Sequence, residues 1–133
     1  MRYNDNMMNN TMTYDFLDGA GEVPAHQHSN GGGWVADSAY VVASAFVGPD
    51  AKVYGNARVY GTAEVFGTAR IYGNASVYDN AQVFGNARVY GIAMVYDNAQ
   101  VYGNAWVCGN AKVFGNAVVS DNAKVYDDHH PLL

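Results

Sequence analysis

The fold is decided between Tyr54 and Val77, where the chain reads YGNARVYGTAEVFGTARIYGNASV. One six-letter word is repeated there four times with small changes. Taking Val53 as its first letter, the word is V-Y-G-N-A-x, and its phase runs from Val35 to Val125 without insertion or deletion. Sixteen consecutive hexads result, with Val first in fifteen and Ile71 first in the other. The fifth letter is Ala in fifteen hexads and fails only at His129. The third is mostly Gly or Asp, and the fourth is Asn nine times, as at Asn56, Asn74 and Asn80.

The word has a physical reading. Along A-x-V-Y the side chains of an extended strand alternate, so Ala and Val face one side while x and Tyr face the other. The G-N or D-N pair that follows is turn chemistry, because Gly and Asn tolerate left-handed backbone angles. A four-residue strand and a two-residue corner, repeated, must coil, and small Ala and Val make the interior narrow. A helix is excluded because a six-residue period does not hold one face at 3.6 residues per turn.

This word resembles the hexapeptide repeat of left-handed parallel β-helix proteins, with an aliphatic residue at one position and a small residue four later. The likeness covers residues 34–128, roughly 70% of the chain. It implies an all-β fold, a single-chain triangular prism with 18 residues per coil, about five coils here. Left-handedness is implied by the resemblance, since crossover rules for ordinary sheets give the opposite hand. Residues 1–33 are expected to be a leader, cap or anchoring segment and residues 129–133 a short tail.

Arranged by 18 residues, the outward letters fall into columns on three faces. The first face carries Trp34, Lys52, Arg70, Arg88, Trp106 and Lys124 beside Ala36, Tyr54, Tyr72, Tyr90, Cys108 and Tyr126. Apart from Arg2, every cation lies on the first or second face. The third is uncharged except for Glu64 and carries Phe46, Phe66, Phe84 and Tyr102 with Gln82 and Gln100. Phenyl rings in a column open to water would form an apolar patch larger than monomers usually expose. Hexapeptide proteins typically pack prisms side by side as trimers, so a homotrimer burying the third face is expected, with part of the second face as the alternative.

Composition narrows the function. A net charge of −5 argues against a general nucleic-acid binder. No apolar run approaches the length needed for a membrane-spanning helix. The opening MRYNDNMMNNTMTYDF lacks the apolar centre of a signal peptide. Many relatives of this fold are acyltransferases with a catalytic His and an extruded loop, but Val35 to Val125 holds neither. Asp79, Asp97 and Asp121 occupy corner positions in place of Gly, and Cys108 stands at a Tyr position with no His nearby. No enzyme activity and no resident cofactor are expected.

Two further sets of residues stand out. His26 and His28, two apart in VPAHQHSNGGGW, would point the same way in an extended segment. Three such pairs about a threefold axis could offer six imidazoles to one transition metal, as against the plain reading of a capping turn. His129 and His130 read as a terminus. On the first face, Tyr72, Tyr90 and Trp106 with Arg70 and Arg88 form a candidate patch for a sugar or host-surface glycan, or less plausibly for single-stranded nucleic acid. A bare repeat behind a distinct leader resembles the short hexapeptide-repeat proteins of phages and prophages. That resemblance implies a virion component made in the host cytoplasm, such as a tail fibre, spike or capsid decoration, joined to other virion proteins through residues 1–33. An acyltransferase-like protein and a self-assembling filament or adhesin are the alternatives.

Overall fold

The computed structural model describes residues 12–126, so His129 and His130 lie outside the described residues. The described residues form eighteen short strands and no helix. From Trp34 onward the rungs pair in parallel with partners 18 residues away, as Gln82 does with Glu64 and Gln100. Three sheets result, one for each face of a five-turn parallel solenoid. The first face holds the rungs Lys52–Val53, Arg70–Ile71, Arg88–Val89, Trp106–Val107 and Lys124–Val125.

Inside, the hexad does what its alternation dictates. Val53, Ala57, Val59, Ala63, Val65, Ala69 and Ile71 are each fully buried in one continuous column of aliphatic side chains. The interior admits little beyond Val and Ala, which is why those letters hardly vary.

Regular strand is shorter than the alternation predicts. Each rung is two residues, the outward x and the inward Val, rather than four. Backbone bonding nevertheless continues through the corner: Tyr54 N–H donates to Ile71 at 3.0 Å and Asn56 N–H to Gly73 at 2.8 Å. In the turn itself Ala57 N–H reaches back to Tyr54 at 3.4 Å. Gly55 has φ 65° whereas Asn56 is not left-handed, the pattern of a type II′ turn. Asn therefore has another task, and the structure shows it: Asn86 donates to Asn104 at 3.2 Å, and Asn104 to Asn122 at 3.5 Å.

The corner aspartates are left-handed like the glycines they replace, with φ 57° at Asp79, 58° at Asp97 and 59° at Asp121. They also add a bond glycine cannot make. The Asp79 carboxylate accepts from Asp97 N–H at 3.1 Å, and the Asp97 carboxylate from Gly115 N–H at 3.0 Å.

Ahead of the repeat, β1 (Thr13–Asp15) and β2 (Glu22–Gln27) form an antiparallel hairpin, and β2 pairs antiparallel with β3 (Trp34–Ala36). The hairpin therefore extends the first-face sheet past its first coil. The glycine run then crosses the mouth of that coil: Val47 N–H donates to Asn30 and Gly33 N–H to Val47, each at 3.0 Å. A Cβ at Gly33 would lie 2.3 Å from the Gly48 carbonyl oxygen, so only glycine allows this approach.

Candidate functional site: the aromatic and cationic first face

The outward tyrosines of the first face are a stack. Tyr54 and Tyr72 have ring centroids 4.9 Å apart at 3°, and Tyr72 and Tyr90 repeat that spacing and angle. Ala36 leaves this column without an aromatic at its first rung. Phe16, from the hairpin, fills the gap: its ring stacks on Tyr54 at 4.8 Å and is 1% exposed. Tyr14 stacks on Trp34 at 4.7 Å and meets Phe16 edge-on. Phe16 lies in residues 1–33, outside the hexad phase. The signal available was Ala36, a small residue in an aromatic column.

At the other end the column is interrupted by Cys108, and Trp106 turns its edge to Tyr90 at 6.2 Å and 71°. The Cys108 thiol is buried beside Tyr90. Burial first, and then the neighbouring Cys108 thiol, push Tyr90 up to about 12. Burial likewise raises Tyr54, opposed by the hydrogen bond and positive charge of Arg70.

The structure thus brings Tyr72, Tyr90, Trp106 and Arg88 together, with the Arg88 guanidinium 5.8 Å from the Trp106 ring centre. Arg70 turns toward the hairpin and donates to the Phe16 carbonyl at 3.4 Å. Lys124, not in the patch read from sequence, sits 4.5 Å over the opposite reach of Trp106. The tyrosine faces cover one another, so the column offers no open ring platform at Tyr54 or Tyr72.

His26 and His28 do not share an environment. His26 is half exposed and its Nδ1 lies 2.7 Å from the Asp37 carboxylate. His28 is buried, and its Nε2–H donates to the Ala45 carbonyl at 2.8 Å. That bond stands where a preceding coil would supply a backbone donor, just as Phe46 N–H serves Ala63 one coil later. Among the described residues no three His, Cys, Asp or Glu side chains gather as a metal set.

The third face is also self-paired. Phe66 stacks on Phe84 at 4.7 Å, Phe84 on Tyr102 at 4.8 Å, and these rings with Phe46 are half-buried. Gln82 donates to Glu64 and Gln100 to Gln82, each at 3.0 Å. More exposed apolar side chains lie on the second face, at Tyr40, Tyr60 and Met94. A shallow groove of about 510 Å³ follows the second corner past Asp79, Asn80, Asp97 and Asn98.

Four stretches, residues 51–63, 69–83, 81–97 and 93–109, match the model of the YdcK beta solenoid repeat. The chain is a β-solenoid repeat protein. Neither the curated proteins nor the solved structures contain a match to this solenoid.

Proposed function

We propose that this solenoid is a non-enzymatic structural protein, a short rigid three-faced rod. The observation that carries the reading is the commitment of its outward columns to neighbours one coil away. Ring lies on ring from Phe16 to Tyr90, the Gln100 amide donates to the Gln82 amide and that to the Glu64 carboxylate, and carboxylate meets N–H from Asp79 to Gly115. Side chains arranged to hold a rod together suit projection or sealing better than turnover.

Within that reading the rod is a homotrimer packed through the uncharged third face, with Tyr60 and Met94 of the second face at the rim. Its setting is a phage virion, as tail fibre, spike or capsid decoration, which the bare repeat behind a distinct leader supports. Since β2 pairs with the first coil and β1 with β2, attachment to other virion proteins falls chiefly to the residues before them and to the hairpin's outer surface. Sedimentation and electron microscopy of the purified protein should show discrete trimeric rods. Monomers or open filaments would overturn the assembly. Stoichiometric acetyl-CoA binding in calorimetry would overturn the non-enzymatic reading.

A further inference from the structure

We propose that the first face binds a linear acidic polysaccharide, laid along the column Lys52, Arg70, Arg88, Trp106 and Lys124. The inference deepens the contact role of the outer faces in the reading above by naming a ligand class for one of them.

Three observations converge. The first is register: Lys52 pairs directly with Arg70, Arg70 with Arg88, Arg88 with Trp106, and Trp106 with Lys124. Like charges directly opposite one another destabilise a sheet. The third face avoids this, since its Glu64 is followed by Gln82 and Gln100, which join it in an amide ladder. The first face keeps three cations in succession instead. Four of the chain's seven Lys and Arg stand in this one line although the protein carries a net charge of −5.

The second is that the described chain leaves this charge uncompensated. Among the described residues none of these four cations has a carboxylate partner within ion-pair distance. Arg88 and Lys124 are exposed and rest on Trp106, which fixes them without neutralising them. Arg88 and Lys124, held on Trp106 and free of any described carboxylate, are arranged to meet an external anion. Lys52 lies over Tyr14, and Arg70 reaches the Phe16 carbonyl.

The third is what runs beside the row. The neighbouring column places Tyr72 and Tyr90, stacked and half-buried, beside the same row. The row from Lys52 to Lys124 therefore spans about 19 Å, four rung spacings, with Tyr72 and Tyr90 beside Arg70 and Arg88. A polysaccharide with carboxylate or sulfate groups offers matching anions and hydroxyls in an extended chain, with a sugar unit close to one rung in length. Single-stranded nucleic acid matches the charge but needs open ring faces for its bases. Here Tyr72 has a ring on either side, and Trp106 has Arg88 and Lys124 on its faces.

The test is binding of the full chain to a heparin oligosaccharide, which carries both carboxylate and sulfate, by calorimetry, with neutral dextran and oligo-dT for comparison. Heparin binding is expected, with about a tenfold loss for a roughly threefold rise in salt, as for about three cations displacing counterions. Arg88→Gln/Lys124→Gln should cut affinity at least about tenfold with an unchanged unfolding midpoint, because no buried contact is lost. Arg58→Gln/Ser76→Asp, which makes the same charge change on the second face, should bind like the parent. Absence of heparin binding overturns the proposal, and so does equal loss in both variants. Oligo-dT binding tighter than heparin assigns the face to nucleic acid and also overturns it. Sedimentation on the same samples keeps a failed assembly distinct from a failed site.

Discussion

Gly85 and Asp97 occupy equivalent corner positions and show how one residue sets the fit between coils. Gly85 has φ 68°, and a Cβ there would lie 2.9 Å from Gly103 N and 3.1 Å from its carbonyl oxygen. Gly85→Ala combines a left-handed alanine with that close approach and should destabilise by about 2 kcal/mol in urea unfolding. Gly85→Asp should lose only about half as much, because its carboxylate can accept the Gly103 N–H as Asp97 accepts that of Gly115. Equal losses would mean that the corner carboxylates only tolerate the turn and do not bind the next coil. Inside the coil, Ala87 is fully buried, and Ala87→Val should cost about 1–3 kcal/mol by overpacking.

The N-terminal hairpin is the element that neither periodicity nor composition located. Its strands β1 and β2 carry no hexad, so the repeat says nothing of where they lie. The reason they dock is a complementary vacancy: Ala36 opens the first rung of the tyrosine column, and Phe16 enters it. Phe16→Ala should weaken docking by about 3 kcal/mol, about a hundredfold in the opening equilibrium. Hydrogen exchange should then quicken in Thr13–Gln27 while Val59 to Val101 stays protected. Adding Ala36→Tyr to Phe16→Ala should refill the column and restore part of the stability, without restoring protection to the hairpin. If the hairpin stays protected in Phe16→Ala, its backbone pairing with β3 holds it and the aromatic contact is incidental.

Across the whole molecule the stacked tyrosines link stability to alkaline pH. Tyr90 rises from the ordinary 10.0 to about 12 on folding, chiefly through burial, and burial also raises Tyr54 and Tyr78. Between those values the unfolded chain loses protons that the folded chain keeps, so stability is full below pH 10 and falls as pH rises toward 12. The urea midpoint should fall over that range, and Tyr90→Phe should make the fall shallower. An identical slope in the variant would sink the assignment. What the hexad determined by itself is the solenoid, its 18-residue turn, its inward Val and Ala, and which repeat residues share each outward column. These follow because strict alternation and a glycine-bearing corner leave one way to bury the small residues. Only the tertiary structure decided what each column does, since that depends on contacts between residues 18 or more apart. Stacking closed the faces of Tyr72 and Tyr90, and the hairpin drew Arg70 to Phe16. His26 and His28 parted because the coil mouth needed one imidazole as a donor and left the other outside with Asp37.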